Sequence, residues 1–189
     1  MKHIFSKSFY LLFDIPNRKE VFETLTNPKY IDKEATSIIE WNKECRVKVE
    51  ELYADKVGHV LFPSIDLFLK HIGVKKSVKV KLLDIWKNTY NKDSFQEIHD
   101  HVDNEAQLSG CIFLEDQTKD TSKFYFYNRD NTELTLWREI MNDERLGNKW
   151  WPDVKAGDII LFPSYLLHGV SPHKLRKPRT TISFNLQFI

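Results

Sequence analysis

Cysteine is scarce. Only Cys45 and Cys111 occur in 189 residues, far apart and in no C-x-x-C pair, so neither a disulfide framework nor a cysteine-held zinc is indicated. A reducing compartment suits two free thiols. Long apolar runs are missing as well, since no stretch approaches the roughly 18 residues of a spanning helix. The N-terminus lacks the basic, apolar and small-residue order of a secretion signal. The expectation is a soluble, cytoplasmic protein. An excess of one charge is also absent: 28 Lys and Arg against 27 Asp and Glu leave +1, which gives no long-range pull toward nucleic acid or an anionic membrane. Repeats, low-complexity segments and long linkers are not found. One domain over residues 1–189 is therefore expected, with support from about 1–75 and a core from about 76–189.

What is present is enough apolar and aromatic material, 41% and 13% of the chain, to build a substantial core. An early strand is expected within Ile4 to Phe13. Asn17 is placed to cap a helix from Arg18 to Leu25, with Val21, Phe22 and Leu25 on one face, broken by Asn27-Pro28. Between Glu34 and Tyr53 the periods mix, leaving open one helix or a helix-turn-strand. Pro63 and Gly73 bracket a second helix with Ile65, Leu67, Phe68 and Ile72 on its stripe. From Val78 to Tyr90 the chain alternates as a strand, with Asn88 and Tyr90 on one face. Gly110 to Leu114, Lys123 to Tyr127 and Ile159 to Phe162 read as further strands, the last entered by a turn at Gly157-Asp158. The polar stretch 128–152, with Trp137, Trp150 and Trp151 and a short helix near 134–141, is long for a loop. It is expected to cover the mouth of a site.

The residues that carry chemistry lie between 101 and 179. His101-Val102-Asp103 offers an imidazole and a carboxylate, and His168 follows the strand that ends at Pro163-Ser164. Two imidazoles and one carboxylate can occupy one face of a ferrous ion and leave the opposite positions open for a chelating cosubstrate and dioxygen. The tripeptide alone weighs little, because seven His and 27 acids yield about one such match by chance. Its order with the two strands carries the reading. Arg179 opens an alternating strand through Leu186, where it could clasp a carboxylate in bidentate fashion beside Thr181, two residues on and facing the same way. His99 with His101 is a rival ligand pair. Five residues, Asn104 to Leu108, separate Asp103 from Ser109-Gly110, and seven separate His101 from it. His3, His59, His71 and His173 read as surface or satisfied core residues.

In this order His101-Val102-Asp103, Leu108-Ser109-Gly110, Gly157-Asp158 through Phe162-Pro163-Ser164, His168 and Arg179 through Asn185 resemble the iron(II)/2-oxoglutarate-dependent dioxygenases, most nearly a branch of small bacterial and phage oxygenases. The resemblance covers about residues 80–189. It implies a mainly β double-stranded β-helix of the cupin-like jelly-roll kind with supporting helices, and catalysis with Fe(II), 2-oxoglutarate and dioxygen. It implies that His101, Asp103 and His168 bind iron and that Arg179 and Thr181 hold the distal carboxylate of 2-oxoglutarate. Asn88-Thr89-Tyr90 looks like an Asn-x-Tyr that touches the cosubstrate; the other reading is an aromatic strand packed on helices. With a carboxylate ligand in place, hydroxylation is the implied outcome, on a small molecule or a peptide, with a prolyl or other protein side chain foremost. A cupin-like metal protein acting in isomerisation or ligand binding, or an inactive binding module, are the alternatives; Arg179 speaks against the first.

Overall fold

The structure, a computed structural model, describes residues 9–35, 44–75, 77–102, 105–128, 140 and 147–189. Asp103 and most of the stretch expected to cover the site therefore lie outside the described residues.

Two antiparallel sheets face each other. The larger contains β1 (Leu11–Asp14), β2 (Val47–Glu51), β3 (Val80–Tyr90), β5 (Leu108–Phe113), β8 (Asp158–Pro163) and β10 (Arg179–Phe188), in the order β1-β8-β5-β10-β3-β2. The smaller contains β4 (Gln96–His99), β6 (Phe124–Tyr127), β7 (Lys149–Trp150) and β9 (His168–Val170), in the order β4-β9-β6-β7. Two facing antiparallel sheets of this order form the expected double-stranded β-helix.

Alternation along the long strands builds the layers, because successive side chains leave a strand on opposite faces. Ile85, Ile112, Ile159, Leu161, Ile182 and Phe184 pack outward against the helices α1 (Arg18–Leu25) and α3 (Phe62–Ile72), which lie either side of the single-turn α2 (Ala54–Val57) in the chain, through Val21, Leu25, Ile65 and Phe68. Trp86, Tyr90, Cys111, Phe113, Ile160 and Phe162 point inward to meet Phe124 and Phe126 of the smaller sheet. Gly110 lies opposite Phe184, and a Cβ there would collide with the Phe184 ring. That close approach explains glycine in the Ser109-Gly110 pair.

Several local expectations need amendment. Asn17 makes no side-chain cap to α1; its amide instead donates to Glu20 Oε2 and to the Val60 carbonyl, both at 3.0 Å, tying α1 to the segment before α3. Leu67 faces solvent at 47% exposure, so the apolar stripe of α3 is Ile65 and Phe68 with Ile72 at its edge. Gly73 closes α3 with φ 72°, as a left-handed C-terminal residue does. The open stretch before Tyr53 ends in β2, and its earlier part, 36–43, lies outside the described residues. The segment before residue 75, read as helical and strand support, contributes β1 and β2, the two edge strands of the larger sheet. Among the described residues no helix is long and apolar enough to cross a membrane.

Candidate active site

Three imidazoles meet between the sheets. His99 ends β4 and is paired in register with His168, the first residue of β9. His168 thus belongs to a strand of its own rather than to the loop leaving β8. His101 lies two residues past His99, its backbone N–H bonded to the Ser164 carbonyl at 3.0 Å. Ring centroids are 4.3 Å apart for His99 and His168, 5.0 Å for His101 and His168, and 5.2 Å for His99 and His101. One nitrogen from each ring lies within 4.8 Å of the others.

Hydrogen bonds orient all three rings in the same way. Nδ1 of His99 meets the Glu97 carbonyl at 2.8 Å, Nδ1 of His168 meets the Leu166 carbonyl at 2.9 Å, and Nδ1 of His101 meets Asn185 Oδ1 at 2.6 Å. Each partner is an acceptor, so Nδ1 carries the proton and Nε2 carries the lone pair, as in histidines set up for a metal by their outer neighbours. Burial drives the rings toward the neutral, ligating form: His99 falls to about 4, His101 falls, and His168 falls well below the ordinary histidine value, with repulsion between the rings adding at His99 and His168. A divalent cation removes that repulsion and fits an all-imidazole donor set.

Asn185 is itself held. Its Oδ1 also accepts from Ser109 Oγ at 2.8 Å, and Ser109 shares a 2.9 Å bond with Ser164 Oγ. A chain of buried polar groups thus runs from the Ser-Gly pair through Asn185 to His101. Such a network fixes a ring only when its members are satisfied together.

The imidazoles line a cavity of about 530 Å³. Arg179 stands on its wall at 1% exposure. Its Nη1 donates to Ser122 Oγ at 3.1 Å, and its carbon Cζ lies 5.5 Å and 5.8 Å from the Phe113 and Tyr90 ring centres. Nε and Nη2 of Arg179 and Oγ1 of Thr181 are buried with no hydrogen-bond partner. Orphaned donors of this kind cost about 1–3 kcal/mol each, more when charged. A carboxylate from a ligand would satisfy them together. Tyr90 also lines the cavity and donates to Gln96 Oε1. Asn88 does not reach the wall: its amide donates to Ser183 Oγ at 3.0 Å. His173 is a satisfied core residue, accepting from the Ser122 N–H at 3.0 Å and bonded to the Lys177 carbonyl at 2.8 Å.

A family model described as "Putative 2OG-Fe(II) oxygenase" matches residues 84–185, just over half of the chain. The chain belongs to this 2OG-Fe(II) oxygenase family. Its fold is also that of solved members. HygX from Streptomyces hygroscopicus, with nickel, 2-oxoglutarate and hygromycin B bound, is 14% identical with a TM-score of 0.62 over 95% of this chain and 83% of that one. The non-heme alpha-ketoglutarate-dependent epimerase SnoN from nogalamycin biosynthesis is 12% identical with a TM-score of 0.63 over 96% and 78%. EctD from S. alaskensis, in its apoform, is 13% identical with a TM-score of 0.59 over 96% and 73%. No curated protein matches by sequence. The protein is thus a 2-oxoglutarate-dependent oxygenase that uses iron, and the imidazole cluster and orphaned Arg179 fit those two groups.

Asp84, Trp86 and Asn185, in strands expected from the sequence but not among the expected site residues, also line the cavity. The signal was there in the period of two: Asp84 and Trp86 share a face with Tyr90, and Asn185 shares one with Arg179 and Thr181. Among the described residues Asp84 is the most perturbed carboxyl. Burial raises it from 3.8 to about 6, against a smaller lowering by Asn185, and Glu51 raises it further. Asn185 Nδ2 faces it without a hydrogen bond of good geometry. A carboxyl raised by folding adds stability that is complete below its unfolded value and lost as pH rises through about 6. Asp84→Asn should therefore stabilise the metal-free protein at about pH 8, by on the order of 2 kcal/mol, and raise its Tm. Calorimetry should find that gain gone near pH 3.5.

Proposed function

We propose that this oxygenase hydroxylates a C–H bond of a small molecule, with iron held by His99, His101 and His168 and the far carboxylate of 2-oxoglutarate held by Arg179 and Thr181. The observation that carries the reading is the convergence of three Nδ1-bonded imidazoles on the same cavity that exposes the unpartnered edge of Arg179. When bound, iron and 2-oxoglutarate would supply the oxidation: one oxygen atom of dioxygen goes to the C–H carbon and the other to succinate, with release of carbon dioxide. The protein's own residues would orient the ligands and neutralise the diacid. Three protein ligands leave no vacancy for a halide, which favours hydroxylation whether the third ligand is His99 or Asp103.

A cavity of about 530 Å³ lies in the range that encloses a drug-sized ligand, and the hygromycin B complex of HygX is consistent with a substrate of that kind. A prolyl or other protein side chain rests on family resemblance alone. SnoN, an epimerase, is a reminder that the fold does not fix the outcome. The cytoplasm remains the compartment that suits ferrous iron and two buried free thiols.

Anaerobic titration of the protein with Fe(II) and then 2-oxoglutarate tests the cofactor assignment. The expected result is the visible metal-to-ligand charge-transfer band of a chelated 2-oxo acid. Its absence, with both components in excess, contradicts the proposed site.

A further inference from the structure

Strands β3 and β10 run side by side along the cavity with their inward residues in register: Arg179 with Tyr90, Thr181 with Asn88, Ser183 with Trp86, and Asn185 with Asp84. Six residues separate the two ends of this ladder, a span of roughly 20 Å at strand rise. The Arg179 end is cationic. The opposite end is built from the other sign: Asp84 and Glu51 line the cavity there, and Glu51 pairs with Trp86 across β2 and β3. Among the described residues, Arg179 is the only lysine or arginine on the cavity wall.

Two further observations point to a ligand at the acidic end. Asn185, 1% exposed and on the cavity wall, faces Asp84 across the strand pair, yet neither its Nδ2 nor the buried Asp84 Oδ1 makes a hydrogen bond of good geometry, so both keep capacity for a ligand. Glu51 and Asp84 also line a neighbouring surface groove of about 780 Å³, together with Asp32 and Asp55. Against these four carboxylates stand Lys81 in the groove and Lys56 over the Tyr53 ring. The two carboxylates thus stand at a doorway whose approach is itself acidic, which concentrates cations from solution.

We propose that the substrate carries a protonated amine or guanidinium that docks on Asp84 beside the Trp86 ring, with a hydroxyl or carbonyl oxygen nearby for Asn185 Nδ2. This rests on the oxygenase reading of the cavity, in which the Arg179 end takes the diacid and leaves the acidic end to the substrate. The Trp86 ring, 7% exposed and 5.7 Å from the His101 ring, offers a face on which a cation is further stabilised. The carboxylate that burial has left partly neutral would regain its charge against such a partner.

The test is calorimetry on the anaerobic Fe(II) and 2-oxoglutarate complex with three matched probes: 1,5-diaminopentane, 1,5-pentanediol and hexanoate. The diamine is expected to bind most tightly and hexanoate least. Asp84→Asn should weaken the diamine by about 10- to 100-fold, with partial recovery in Asp84→Glu, while its 2-oxoglutarate band reports an intact fold. Equal or tighter binding of the diol or hexanoate, unchanged diamine binding in Asp84→Asn, or no binding of any probe overturns the proposal. Failure of the oxygenase reading is seen separately, as loss of the 2-oxoglutarate band in the unaltered protein before any probe is added.

Discussion

Replacing His99 by alanine is expected to abolish Fe(II) binding and substrate-coupled succinate formation, as are His101→Ala and His168→Ala, whereas Asp103→Ala should retain both. The distinction decides between two ligand sets that share His101 and His168. The geometry of the described residues supports His99 as a ligand, because its ring stands 4.3 Å from that of His168 and its Nδ1 is already committed to the Glu97 carbonyl. Loss of one of three protein ligands leaves too few donors to hold a labile ferrous ion, and changes in outer partners alone cost about 10- to 100-fold in metal affinity. Metal content after dialysis, together with the 2-oxoglutarate band, gives the readout. Full iron occupancy in His99→Ala with loss in Asp103→Ala would restore the histidine and aspartate pair to first place.

Arg179→Met should do two opposite things. In the metal-free protein it should raise stability by about 1–4 kcal/mol, because a buried guanidinium with two unpartnered nitrogens is replaced by an apolar chain of similar length. It should also weaken 2-oxoglutarate by about 100-fold or more, since a buried charged hydrogen-bond pair is lost. Thermal melts with and without Fe(II) and 2-oxoglutarate measure both effects: the variant melts higher when empty and gains little from the ligands. A variant that melts lower when empty would mean that the Phe113 and Tyr90 rings already compensate the charge.

Most of the scaffold was legible because period and punctuation agree there. The run Ile159 to Phe162 between Gly157 and Pro163 could be little but a buried strand, and Pro63 with Gly73 framed a helix to within a residue. The face shared by Arg179 and Thr181 was legible because one alternating strand carries both. Where two strands must meet, less was legible. The pairing of His99 with His168 across β4 and β9 is a long-range contact that no local pattern encodes. Asn88 shows the converse limit. Period placed it on the inward face with Tyr90, but the hydroxyl of Ser183 on the neighbouring strand takes up its amide. Asn17 likewise has the residue type of a cap, yet a carbonyl from Val60 captures its side chain.

Cys111 shares the wall of the cavity with Arg179 and the imidazoles. Sulfur beside an oxidising centre is ordinarily a liability, since the thiolate is the form that reacts. Burial pushes this thiol up to about 11, and the nearby guanidinium only partly opposes it. At neutral pH the sulfur keeps its hydrogen and behaves as a compact apolar filler, so the same dryness that readies the imidazoles also shelters the protein from its own chemistry.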